Sequence, residues 1–165
     1  MTIRAEQSQD ATSIRDLLLA AFAGEQEADR VGHLRSDGEL LLSLVAEGAE
    51  GVVGYVGFSR LWITRDGRRA SGVSLAPLAV TATYRRRGVG TALVEAGHAL
   101  LRSRGESIVF VLGELSYYGR FGYSAQAAAA FECVYAGSHF QALALADDAP
   151  RTGVITYAAA FQRLQ

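Results

Sequence analysis

Lysine is absent from this 165-residue chain, so all sixteen basic side chains are arginine. That excludes a P-loop, which needs Gly-Lys-Ser/Thr to reach its phosphates. There is one cysteine, Cys133. It cannot close an internal disulfide and has no metal-ligand partner at useful spacing, so it is expected as a core or strand residue and no metal is expected. Proline occurs twice, and half the residues are apolar, which excludes disordered or collagen-like structure. A formal net charge of −1 gives no global pull toward nucleic acid or an anionic membrane, so any basic site must be local. No apolar run approaches the roughly 18 residues of a membrane span, and Met1-Thr2-Ile3-Arg4-Ala5-Glu6 lacks the blocks of a signal peptide. A cytoplasmic protein is expected, folded as a single domain over residues 1–165.

What is present is a regular alternation of elements. Residues 3–5 read as a short strand, followed by a helix capped at Ser8 or Asp10 with Ile14, Leu17, Leu18, Ala21 and Phe22 as its apolar stripe. A second helix is expected over 25–35. Strands then follow at 40–46, 52–64 and 72–80, with Asp66-Gly67 as a hairpin turn. After them come a helix over 91–104, a strand at 107–112, a short helix at 117–121 and closing strands at 131–135, 140–146 and 154–157. The strand–helix–strand unit predicts one parallel pair within an otherwise antiparallel meander, an α/β fold with a mixed sheet.

The most informative run joins the strand ending Leu78-Ala79-Val80 to the next helix through Arg85-Arg86-Arg87-Gly88-Val89-Gly90-Thr91. A helix start presents unpaired N–H groups and the positive end of the helix dipole. Glycines let an anion approach the main chain, and three arginines add forked donors. Residues 85–91 therefore read as a phosphate cradle; a solvated charged face before a plain turn is the other reading. A dinucleotide fingerprint fails, because position 93 holds Leu93 in place of a small residue, and Glu114 comes only after Gly113.

Arg85-x-x-Gly88-x-Gly90 after an apolar strand resembles the Gln/Arg-x-x-Gly-x-Gly/Ala signature of the GNAT superfamily of N-acetyltransferases. Tyr118-Gly119-Arg120-Phe121-Gly122-Tyr123 resembles the Tyr-x-x-x-Gly-Phe ending of that superfamily's core. The double tyrosine Tyr117-Tyr118 before Arg-Phe-Gly is similar to the YhbS-like branch. The resemblance implies a central mixed, mostly antiparallel sheet with one splayed parallel pair and helices on both faces. It implies acetyl-coenzyme A as co-substrate, with its pyrophosphate at Arg85, Arg86, Arg87, Gly88, Val89, Gly90 and Thr91 and its pantetheine arm on free backbone groups of Leu78, Ala79 and Val80. Gly113, Tyr117 and Tyr118 complete the implied cofactor set, with Tyr118 as general acid for the departing thiolate. The asparagine often found before that tyrosine has no match, since position 111 is Val111.

Acetyl transfer to an amine also needs a neutral amine. At pH 7 an alkyl ammonium of pKa about 10.4 is neutral in only about one part in several thousand, some 4–5 kcal/mol that burial or a base must offset. Glu25, Glu27, His33 and Glu114 are candidates for that base, while His98 and His139 receive no role. A primary amine is the expected acceptor, its identity unread from the sequence. The architecture also allows pairing of two copies through sheet edges. The alternative is a module that binds an acyl-coenzyme A without turning it over. A nucleic-acid module is disfavoured, since one arginine cluster comes with no aromatic platform.

Overall fold

The computed structural model describes residues 1–163. Its elements in chain order are β1 (Thr2–Ala5), α1 (Ala11–Ala21), α2 (Gln26–Ser36), β2 (Leu40–Gly48), β3 (Gly51–Arg65) and β4 (Arg68–Val80). They are followed by α3 (Val89–Ser103), β5 (Ile108–Leu112), α4 (Leu115–Gly119), α5 (Ala125–Ala128), β6 (Phe131–Glu132), β7 (Phe140–Ala144), β8 (Gly153–Tyr157) and α6 (Ala159–Arg163). The expected mixed, mostly antiparallel sheet is present, and β4 and β5 are its parallel pair. A second parallel pairing, also of two residue pairs, joins β6 to β8. The described chain divides into two compact units, residues 1–59, 76–99 and 159–163 forming the first and 60–75 and 100–158 the second.

In the first unit, β1 and β2 pair antiparallel from Thr2↔Glu47 to Ala5↔Leu44, and β2 pairs with β3 through two register shifts. The apolar stripe of α1 packs as expected: Ile14, Leu17 and Leu18 join Ala28 and Val31 of α2, Val45, Tyr55 and Ala79 in one buried cluster. A polar seam closes the N-terminal end. Arg35 is forked onto Glu6 at 2.9 and 2.7 Å, and Ser43 Oγ donates to Glu6 while also lying 2.8 Å from the Tyr55 hydroxyl. Two glycines let α3 sit close to β3. A Cβ on Gly97 would lie 2.4 Å from the Phe58 ring, and one on Gly54 would lie 2.9 Å from Val89.

In the second unit, β5 pairs with β7 over five antiparallel positions, Ile108↔Ala144 to Leu112↔Phe140, and β8 lies against β3 from Leu61↔Tyr157 to Thr64↔Val154. Phe110 is the centre of its core, stacked on Phe140 at 5.5 Å and meeting Phe131 edge-on at 4.9 Å. Arg60 fixes the chain two residues before β5 by a fork onto Glu106, 2.8 Å on both arms, and donates to the Gly72 carbonyl. The β4–β5 pairing is short: its register covers Val73↔Val109 and Ser74↔Phe110, two pairs in a strand of thirteen residues.

Several boundaries differ from expectation. The α3 helix begins at Val89, two residues early; its Leu101 is buried while Leu100 is 38% exposed. Neither Ser8 nor Asp10 caps α1 through its side chain. The Asp10 carboxylate instead accepts from the Gln7 N–H and from Arg4. The strand expected at 131–135 stops at Glu132, so Cys133 is a half-buried residue after β6. The 72–80 strand begins at Arg68, where charged side chains hide the strand pattern. The short helix is shifted to Leu115–Gly119.

Candidate active site

The candidate residues divide between the units, 78–91 in the first and Gly113, Tyr117 and Tyr118 in the second. At the end of β4, Ala79 is buried while Leu78 and Val80 are partly exposed. The Thr81 N–H donates to Val53 O at 2.9 Å, holding this strand end to β3. Thr81 Oγ1 is buried and has no partner, a polar atom beside the strand end expected to take the pantetheine arm and one with no local signal in the sequence.

A 3-10 turn at Ala82–Tyr84 leads from β4 to the arginines. The three differ sharply. Arg85 folds back, its Nε donating to Val80 O at 3.1 Å. Arg87 lies over the Tyr84 ring at 5.3 Å from its centroid. Arg86 is exposed, has no hydrogen bond, ion pair or ring contact among the described residues, and sits at φ 63°, a left-handed conformation that only a few per cent of non-glycine residues adopt. Such strain persists where surrounding structure imposes it and clusters at ligand clamps.

Gly88 follows at φ 80°, and a Cβ there would meet nothing within 4 Å, so the main chain is open to an approaching group. The ladder of α3 opens with Ala92 N–H donating to Gly88 O at 3.0 Å. The amides of Val89 and Gly90 therefore precede the ladder at the positive end of a fifteen-residue helix. An uncommitted guanidinium, an open glycine and leading amides fit an anionic group, whereas Arg85 is committed to its own strand.

In the second unit, Gly113 links β5 to α4. The Tyr118 ring lies directly on it, since a Cβ on Gly113 would be 2.6 Å from Tyr118 Cε2. Tyr118 is also ringed by Tyr117 at 5.0 Å, Tyr123 at 5.8 Å and Phe121 at 6.5 Å. Burial, with a smaller push from Tyr117, raises its phenol to about 12, so the hydroxyl keeps its proton through the physiological range. That hydroxyl has no hydrogen-bond partner among the described residues. Tyr117 is less enclosed, with the Arg120 guanidinium 4.5 Å over its ring. Tyr123 is 3% exposed and fills the position of the signature's final aromatic.

Of the candidate bases, Glu114 is an exposed residue at the start of α4, near Ser116 Oγ at 3.5 Å. Glu27 Oε2 and His33 Nδ1, both on α2, are buried without partners, whereas Glu25 is exposed. A cavity of about 240 Å³ lies against α1 and α2, lined by Ile14, Leu18, Ala28 and Val31 among others. Among the described residues no group of three or more His, Cys, Asp and Glu is placed to hold a metal ion, and no helix is long and apolar enough to cross a membrane.

Comparison with known proteins meets this geometry. The acetyltransferase (GNAT) domain family matches residues 2–125. The uncharacterised N-acetyltransferase YhbS of Escherichia coli K12 is 40% identical over 168 residues, covering 99% of each chain. A crystal structure of YhbS from Escherichia coli in complex with CoA superposes with a TM-score of 0.90 at 39% identity, covering 99% of this chain and 93% of that one. A GNAT family acetyltransferase from Brucella melitensis in complex with acetyl-CoA gives a TM-score of 0.81 at 34% identity, covering 97% of both. The chain belongs to the GNAT acetyltransferase family, and is accordingly an acetyl-coenzyme A-dependent acyltransferase.

Proposed function

We propose that this protein transfers the acetyl group of acetyl-coenzyme A to a primary amine by direct attack, acting as one acetyltransferase domain with no metal. The observation that carries the reading is Tyr118: a mostly buried, protonated phenol whose hydroxyl is committed to no protein partner. The CoA complexes of YhbS and of the Brucella enzyme support acetyl-coenzyme A as the donor. Its diphosphate is held by Arg86, Gly88 and the amides of Val89 to Thr91, with Arg85 and Arg87 contributing charge. Backbone groups of Leu78, Ala79 and Val80 take the pantetheine arm, Val80 O exchanging its bond to Arg85 when it does so.

As the amine attacks the thioester carbonyl, the carbonyl–sulfur bond breaks and the thiolate takes the Tyr118 proton. A phenol raised to about 12 would be a weak acid toward a thiolate in water. The desolvation that raises the phenol also disfavours a naked thiolate, which favours passing the proton to sulfur. Glu27 or His33 removes the proton lost by the amine, directly or through water. The place of action is the cytoplasm.

Acetyl-coenzyme A consumption, followed by thiol release against a panel of a polyamine, an amino sugar, tyramine and a lysine-containing peptide, tests the reading. Release should be slow with water and rise sharply with at least one amine. Tight binding of acetyl-coenzyme A with no acceleration by any amine would favour a non-catalytic binding module.

A further inference from the structure

Gln141 has no place in the reaction described so far, yet its surroundings are unusual. It lies on β7 opposite Val111 and is 0% exposed. A buried amide needs partners for both ends, and Gln141 has them for only one. Its Nε2 donates to Gly113 O at 3.0 Å and reaches His139 O at 3.4 Å, while Oε1 is buried without a partner. An apolar side chain of similar shape would avoid that orphaned oxygen, so the residue is poorly explained as filling alone.

The bond it makes explains it better. Gly113 is the first residue beyond β5, and its N–H is held by His139 O at 3.1 Å. No backbone donor reaches its carbonyl among the described residues; Gln141 supplies the donor. Both polar groups of Gly113 are thereby fixed from β7 and the residue before it. The ring of Tyr118 rests on this same glycine, 2.6 Å from where a Cβ would stand. Any tilt of Gly113 is therefore transmitted directly to the tyrosine.

We propose that Gln141 is a positioning residue for acetyl transfer, acting through the Gly113 carbonyl to hold the seat on which Tyr118 lies. The inference rests on the assignment of Tyr118 as general acid, and the experiment separates the two. Gln141→Leu, Tyr118→Phe and the double variant are compared with the parent by steady-state thiol release from acetyl-coenzyme A. The acceptor is the best amine of the panel, or water if none does better. Gln141→Leu should lower kcat by about tenfold or more while leaving KM for acetyl-coenzyme A within about twofold, because only aim is lost. In the Tyr118→Phe background the same change should alter kcat by less than about twofold, since no phenol remains to be aimed.

Gln141→Glu gives a second readout that does not depend on the leucine variant folding. A protonated glutamic acid can still donate to Gly113 O, whereas a carboxylate there faces carbonyl oxygens. The variant should lose kcat as pH rises through its carboxyl titration, a limb the parent lacks. Full kcat in Gln141→Leu beside a damaged Tyr118→Phe, an equal loss in both backgrounds, or a parent-like pH profile in Gln141→Glu would each overturn the role of Gln141. An unimpaired Tyr118→Phe would remove the tyrosine itself, and the positioning role with it.

Discussion

Replacing Gly113 by alanine puts one methyl group where the Tyr118 ring now lies. The new Cβ would sit 2.6 Å from Cε2 and 3.1 Å from Cδ2 of that ring, against an ordinary contact distance of 3.4 Å or more. The ring must therefore withdraw by about 0.8 Å, with Tyr117, Phe121 and Tyr123 already packed around it. Overpacking of this kind destabilises a fold by roughly 1–3 kcal/mol, which a domain of this size survives. Its effect on the chemistry is larger, because a misplacement near 1 Å in a reacting group lowers turnover about a hundredfold. We expect Gly113→Ala to lower kcat by about two orders of magnitude, with affinity for acetyl-coenzyme A nearly unchanged. Steady-state thiol release and calorimetric titration with coenzyme A read the two quantities separately. Gly119→Ala is the control: it adds a methyl at the end of the short helix that carries Tyr118, where a Cβ meets nothing within 4 Å, and should leave kcat near the parent value. Parent-like kcat in Gly113→Ala, with the substitution verified, would refute the reasoning that Tyr118 must sit where the glycine lets it sit.

Two further outcomes follow from the first unit. Arg86→Gly removes a guanidinium from a left-handed backbone position, so thermal stability should hold or rise slightly while the Kd for coenzyme A weakens about tenfold or more, a charge-assisted hydrogen bond contributing roughly 1.5–3 kcal/mol. Calorimetry and a melting curve would show the opposite signs. Asp10 is held below the usual carboxylate range chiefly by its hydrogen bonds from Arg4, with a further one from the Gln7 N–H opposing the effect of burial. A carboxyl whose folded value lies below its unfolded value of about 3.9 contributes stability at higher pH and loses it as pH falls through the folded value. The melting temperature should therefore drop below about pH 4, and Asp10→Asn should be less stable at neutral pH but flatter across that acid window.

Much of this was legible because the informative segments are local. The α3 pattern and the arginine–glycine turn lie within one stretch of chain, and the double tyrosine carries its own neighbours in sequence. Periodicity failed where packing across the fold intervened. Gly97 has no side chain, so the Phe58 ring occupies its place, and the neighbouring polar His98 is buried on the same helix. The start of β4 at Arg68 was hidden because exposed arginines on a hairpin carry no apolar alternation. Asp10 looked like a helix cap because its spacing fits one, yet Arg4 on β1 claims its carboxylate. Gln141 gave no local signal, since its meaning comes from pairing β7 with β5 and from a carbonyl twenty-eight residues away. The difference among Arg85, Arg86 and Arg87 is likewise a matter of backbone conformation, which three identical letters cannot record.

The most direct test of the account is Tyr118→Phe, measured as kcat for acetyl transfer beside the Kd for coenzyme A. Loss of the phenol proton should lower kcat about a hundredfold or more while the Kd stays within about twofold, because the ring and its seat on Gly113 remain. Turnover unchanged by the substitution, or lost only in step with cofactor binding, would contradict the account.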